Sequence, residues 1–165
     1  MLVKRAGGGD RPECIVAQLL FLDFDGVLHS TDAVMIPELQ FRHLGLLSGL
    51  LGAYPEVRIV ISSNWASSHN LESLKERLGG IGHRVVGSIA GEHPRLSRFR
   101  QCETIAARLN TPSWIMIDDQ VQIVFGDEAG KPEMMRRVIF CDSTLGLTTP
   151  GVKEKLLTWL SDRSC

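Results

Sequence analysis

The chain has 165 residues, and 18 Lys+Arg against 19 Asp+Glu leave a formal net charge of −1, with 44% apolar and 22% charged residues. That is the composition of one soluble globular domain, and at roughly 100–200 residues per domain it excludes a large multidomain enzyme. The near-neutral balance also excludes a protein whose main work is neutralising nucleic-acid phosphates over a broad basic face, leaving room only for a local basic patch.

Cys14, Cys102, Cys141 and Cys165 are scattered without a C-x-x-C pair, as expected of free thiols in a reducing cytoplasm. The leucine-rich stretch at 44–53 is broken by Gly45, Gly49 and Gly52 and falls far short of the about 20 apolar residues that span a bilayer. Residues 1–14 read as a flexible leader ahead of a single domain at 15–165. Lys4 and Arg5 are followed by a glycine triplet rather than the apolar run of a signal peptide.

Leu19-Leu20-Phe21-Leu22 is a continuous apolar run that stops at Asp23-Phe24-Asp25-Gly26, the pattern of a buried parallel strand meeting its loop. Pro37 then opens a predicted first helix, with Phe41, Leu44, Leu47 and Leu51 at three- and four-residue steps up to Gly52. Val57-Arg58-Ile59-Val60-Ile61 predicts a second strand ending at Ser62-Ser63-Asn64. Leu71, Leu74 and Leu78 line a second helix stopped by Gly79-Gly80, and residues 84–88 form a weaker strand.

Cys102, Ile105, Ala106 and Leu109 mark a third helix, closed by Asn110-Thr111-Pro112 before Trp114-Ile115-Met116-Ile117 runs into Asp118-Asp119. Val138-Ile139-Phe140-Cys141 is a further strand, and Pro150 opens a last helix with Val152, Leu156, Trp159 and Leu160 inward. Strands alternating with helices predict an α/β fold: a three-layer α/β/α sandwich around a mainly parallel, Rossmann-like sheet.

In such a sheet ligands bind at the carboxyl ends of the strands. The residues delivered there are Asp23, Asp25, Ser62, Ser63, Asn64, Asp118 and Asp119. Four carboxylates in one crevice repel one another unless a hard cation neutralises them, and oxygen-only ligands at a partly hydrated site favour Mg²⁺. Asp23 and Asp25, two apart, suit one nucleophile and one acid/base whose environments differ. Gly26 permits a sharp backbone turn directly after the pair.

The order of these features, D-x-D-G-V-L after the first strand, Ser/Asn after the second, a basic residue at a helix start and Asp-Asp after a later strand, resembles the haloacid dehalogenase (HAD) superfamily of phosphohydrolases over about residues 19–160. The resemblance implies Asp23 as nucleophile forming an aspartyl-phosphate and Asp25 as the acid that protonates the leaving oxygen and then activates water. It also implies Mg²⁺ held by the Asp23 carboxylate, the Asp25 carbonyl and an acid of the Asp118-Asp119 pair. Asp119 is favoured as direct ligand and Asp118 as its orienting neighbour.

Ser62 matches the family's phosphate-binding hydroxyl, with Ser63 next in line and Asn64 adding an amide. The lysine usual before the helix preceding Asp-Asp is missing, and Arg95, Arg98 and Arg100 stand there instead. Arg100, three residues before Glu103, is favoured over Arg98, because that spacing resembles the HAD domain of Swiss Army knife RNA repair proteins. Trp65 after the serines and Gly146-Leu147-Thr148 before the last helix are similar to the same branch, whereas Ala66 replaces its usual arginine.

Structural readings stand beside these. Asp118-Asp119 can be an acidic turn, the arginines a solvated face, and Trp65 and Trp114 packing residues. The five histidines lack metal-binding spacing, although His29, just past D-x-D-G, lies within reach of a substrate. A receiver domain is disfavoured, because none of Lys75, Lys131, Lys153 and Lys155 follows a strand as that fold requires. A catalytically inactive HAD-like binding module is the alternative.

Residues 27–56 and 65–99, where the superfamily inserts cap domains, are too short for one of about 50 residues or more beside their own helices and strands. The expectation is a capless phosphatase, open to large substrates such as nucleic-acid ends or phosphoproteins. No membrane partner is expected.

Overall fold

The computed structural model describes residues 18–91, 95–128 and 131–162; the expected leader, Cys14, Cys165 and His93 lie outside them. The apolar runs become β1 (Gln18–Leu22), β2 (Val57–Ile61), β3 (Val85–Ser88), β4 (Ser113–Asp118) and β5 (Val138–Phe140). They pair in parallel in the order β3-β2-β1-β4-β5, so the chain winds first to one side of β1 and then to the other.

The helices are α1 (Leu44–Leu51), α2 (Leu71–Arg77), α3 (Arg98–Arg108), α4 (Val121–Phe125), α5 (Pro132–Met135) and α6 (Val152–Ser161). Successive strand residues face opposite sides. Leu20, Leu22, Ile59, Ile61, Ile115 and Ile117 pack with α1, α2 and α6 through Leu47, Leu51, Leu74, Leu156 and Leu160. Leu19, Phe21, Val60, Trp114 and Met116 pack with α3 and α4 through Phe99, Cys102, Ile105 and Phe125. Both faces are covered, which is the predicted three-layer α/β/α sandwich.

Two polar side chains close the layers away from the strands' carboxyl ends. The buried Gln18 amide donates to the Trp159 and Asp162 carbonyls, both at 3.0 Å, at the end of α6. The buried Arg84 guanidinium donates to Tyr54 O at 2.6 Å and Leu51 O at 3.2 Å, at the end of α1. Each satisfies carbonyls that a helix terminus leaves without partners.

The first helix departs from the prediction. Pro37 opens only a 3-10 turn, Pro37–Leu39; the chain then extends through Gln40, Phe41 takes a left-handed φ of 57°, and α1 begins at Leu44. A left-handed phenylalanine cannot continue a right-handed helix. Its ring instead joins Phe24 and Trp65 in edge-on contacts at 5.2 and 5.4 Å between centroids.

The weak strand begins at Val85, because Arg84 is still part of the 3-10 turn Gly79–Arg84. The register between β2 and β3 shifts there, Ile59 pairing Val85 and Val60 pairing Gly87. Among the described residues β1 is followed by two 3-10 turns and α1, and β2 by a 3-10 turn, α2 and β3; no cap domain stands in either place. No helix of the described residues is long and apolar enough to cross a membrane.

Candidate active site

Register places the site. Leu22 is level with Ile61 of β2 and Ile117 of β4, so Asp23, Ser62 and Asp118 leave the sheet side by side. Asp23 N donates to Ile117 O at 3.1 Å, and Ser62 N to Leu22 O at 2.9 Å. Sheet pairing therefore runs one residue beyond each apolar run.

Asp23 is buried and held from both sides: Phe24 N donates to Oδ1 at 2.8 Å, and Arg98 Nη1 to Oδ2 at 2.9 Å. The same Nη1 donates to Asp118 Oδ2 at 2.5 Å, while Nη2 donates to Asn64 Oδ1 at 3.0 Å. One fixed guanidinium thus ties the ends of β1, β2 and β4 together. Burial, reinforced by the negative charge of Asp118 and opposed by Arg98, raises the Asp23 pKa to about 7. Burial works against the charge on Arg98, but Asp118 and Asp23 outweigh it and hold its pKa above the ordinary arginine value.

Asp118 is fully engaged, since its Oδ1 also accepts Gln120 N at 2.9 Å. Asp119 differs: its Oδ1 is buried without a hydrogen-bond partner, and burial followed by the Asp118 charge raises its pKa. Asp23, Asp118 and Asp119 each offer an oxygen within 4.8 Å of the others. Three carboxylates against one guanidinium leave negative charge to neutralise, and the all-oxygen donor set with an orphaned buried oxygen fits Mg²⁺.

Gly26, at φ +70°, fits here because a Cβ would run into the Asp119 carboxylate. Gly146, at φ +54°, lets the last loop close on Val27 O, to which Leu147 N donates at 3.0 Å. The Gly146-Leu147-Thr148 segment thereby braces the loop that carries Asp25.

Asp25, about a quarter exposed, is gripped by residues that the sequence did not assign to the site. His29 Nε2 lies 3.0 Å from its Oδ1, and Trp65 Nε1 donates to Oδ1 at 2.9 Å and Oδ2 at 3.0 Å. No periodicity marks such contacts; the signals were the position of His29 just after D-x-D-G and of Trp65 just after the serines.

The structure separates the members of the two alternative pairs. Ser62 is fully buried with its Oγ unpartnered, whereas Ser63 accepts Trp65 N to cap the 3-10 turn Asn64–Ser67, lines the crevice, and slightly offsets the raised pKa of Asp23. Arg98 reaches the acids, while Arg100 turns outward, its Nε and Nη2 each 2.7 Å from Glu128 and its Nη1 2.6 Å from Glu103. Arg95 is exposed on the loop before α3.

The arrangement thus brings together Asp23, Asp25, Ser63, Asn64, Arg98, Asp118 and Asp119, with Ser62 buried beside them at the end of β2, while Arg95 and Arg100 face outward. A cavity of about 290 Å³ opens beside Arg98, lined also by Ser63, Asn64, Ser97, Gln101 and Ile123. Cys102 and Cys141 are free and buried. Burial raises both thiol pKa values, that of Cys141 to about 12 with the acids adding to the effect, so neither is an active nucleophile.

A five-stranded parallel sheet with paired acids ending its first and fourth strands, a serine beyond its second and a basic side chain at the start of α3 defines the HAD class of phosphohydrolase domains. The chain belongs within that class to the family described as the HAD domain in Swiss Army Knife RNA repair proteins, whose family model matches residues 19–152. No curated protein and no solved structure matches the chain.

Proposed function

We propose that the chain is a Mg²⁺-dependent phosphomonoesterase acting through an aspartyl-phosphate on Asp23. The observation that carries this is the clamp on Asp23. Phe24 N and Arg98 fix its carboxylate, with Ser63 and the oxygens of Asp118 and Asp119 around it. A nucleophile, donors for phosphate oxygens and a cation seat then share one level of the crevice.

Mg²⁺ would be held by the Asp23 and Asp119 carboxylates and the Asp25 carbonyl, oriented by Asp118, and would screen the nucleophile from the phosphate charge. An Asp23 oxygen attacks phosphorus in line. The bond to the leaving oxygen breaks, and Asp25 supplies that oxygen with a proton. Water then attacks the same phosphorus and gives its proton to Asp25, the bond to Asp23 breaks, and inorganic phosphate leaves. Arg98, Ser63 and Asn64 donate to the phosphoryl oxygens as charge builds on them.

The crevice has no cap among the described residues, which suits large substrates. Phosphorylated nucleic-acid ends are the class we propose, in keeping with the RNA repair setting named for the family. The buried free thiols fit a cytoplasmic setting.

The test is hydrolysis of p-nitrophenyl phosphate and of 5′- and 3′-phosphorylated oligonucleotides, with and without Mg²⁺, by wild type and Asp23→Asn. The expected result is Mg²⁺-dependent turnover that falls at least about 1,000-fold in the variant, with phosphate trapped on wild-type Asp23. Wild type as inert as the variant across the panel rejects the enzyme and leaves a binding module.

A further inference from the structure

Asp25 carries two duties in the proposed reaction. The same carboxyl must meet a leaving oxygen and later a water at one phosphorus, and among the described residues no cap domain stands over the crevice to place it. Its orientation therefore has to be built into the resting fold.

The surroundings of Asp25 supply that orientation. His29 is fully buried, and its Nδ1 faces the Phe41 amide, whose N–H donates to it at 3.4 Å. An accepting Nδ1 leaves the proton of the neutral ring on Nε2, the atom 3.0 Å from Asp25 Oδ1. The left-handed φ of 57° at Phe41 breaks the expected first helix at the very residue whose amide faces His29. A bulky residue held in that conformation at a site edge marks a functional constraint.

Trp65 secures the other side. Its Nε1 is shared between both Asp25 oxygens, at 2.9 and 3.0 Å. Its ring is locked by edge contacts with Phe24 at 5.9 Å and Phe41 at 5.4 Å, and is stacked on His69 at 5.1 Å. Packing alone would place an indole here without aiming its only donor at a half-buried carboxylate.

Resting on the phosphatase reading, we infer that His29, fixed as the Nε2–H tautomer by the Phe41 amide, and Trp65 are positioning residues that aim the Asp25 carboxyl at the leaving-group oxygen. Both act through Asp25.

The test compares two substrates. An aryl phosphate such as p-nitrophenyl phosphate has a leaving group that departs without a proton, whereas an alkyl phosphate such as glycerol phosphate needs one. In His29→Leu and Trp65→Phe, kcat/KM on the alkyl substrate should fall about 100-fold and on the aryl substrate only a few-fold. Because water activation also depends on Asp25, these variants should accumulate the Asp23 phosphoenzyme on the aryl substrate.

His29→Gln, whose amide can donate from nearly the Nε2 position, should recover most of the alkyl activity. Trp65→Phe keeps the ring packing and reads out the proposal even where His29→Leu fails to fold. Equal losses of kcat/KM on both substrates, without trapped phosphoenzyme, overturn the positioning role while leaving the phosphatase intact. Inert wild type overturns the phosphatase reading itself.

Discussion

Arg98 and Arg100 stand two positions apart at the start of α3, yet Arg98 is buried between Asp23 and Asp118 while Arg100 faces Glu128 and Glu103. Two helical residues are separated by about 200° around the axis. Ser97 caps the helix by accepting Arg100 N at 3.4 Å, and this sets which arginine faces the crevice.

The pair makes the first prediction. Arg98→Ala leaves two buried carboxylates without their cation, so stability in chelator should fall by about 3–5 kcal/mol and phosphatase turnover by at least about 100-fold. Arg100→Ala removes only partly exposed pairs, worth about 0.2–1 kcal/mol, and should turn over like wild type. Chemical denaturation and aryl phosphate kinetics on both variants measure this. Equal effects would separate Arg98 from the chemistry.

A second prediction concerns Gly26. Alanine there would meet the Asp119 carboxylate and force an L side chain to φ +70°. The strain costs about 1–2 kcal/mol. Displacement of Asp119 should raise the Mg²⁺ concentration needed for half-maximal activity by about 10–100-fold. A Mg²⁺ titration of activity reads this directly; an unchanged midpoint would show that Asp119 is not the cation ligand.

The sheet was legible because β1, β2 and β4 are continuous apolar runs, each stopped by a polar group, and that order alone brought Asp23, the serines and Asp118 to one end. Arg98 was legible in principle too. It shares its helical face with Cys102, Ile105 and Leu109 at i+4, i+7 and i+11, the stripe that packs on the sheet, whereas Arg100 falls outside that stripe.

Other features depend on contacts that no local pattern carries. Phe41 occupies a helical spacing but is turned left-handed among Phe24, His29 and Trp65. The grip of Trp65 on Asp25 spans 40 positions of sequence. Neither spacing nor propensity reports a pairing made only when the ends of β1 and β2 come together.

The two serines give a third prediction. Ser62 Oγ is buried without a partner, so Ser62→Ala removes an unsatisfied hydroxyl without breaking a hydrogen bond and should be neutral or stabilising by up to about 1 kcal/mol, with turnover within about twofold of wild type. Ser63→Ala removes a donor beside Asp23 and the cap accepting Trp65 N at 3.4 Å. It should lower kcat/KM about tenfold or more and stability by about 1 kcal/mol. The reverse ranking in paired kinetics would move the phosphate-binding hydroxyl back to Ser62.

The last prediction follows from the raised pKa of Asp23. In the folded chain without cation it titrates at about 7, against an ordinary value of 3.8. Between these values the folded state holds a proton that the unfolded state has released, so stability in chelator should fall as pH rises from about 4 to 7 and level off above. Asp23→Asn cannot ionise, so the part of that slope due to Asp23 should vanish and the variant should melt higher than wild type at pH 8 in chelator. Mg²⁺ competes with the same proton, and saturating Mg²⁺ should shift the rising limb of the pH–activity profile below 7. Melting curves across pH, with chelator and with Mg²⁺, measure both effects; an identical slope in Asp23→Asn would assign the titration to another group.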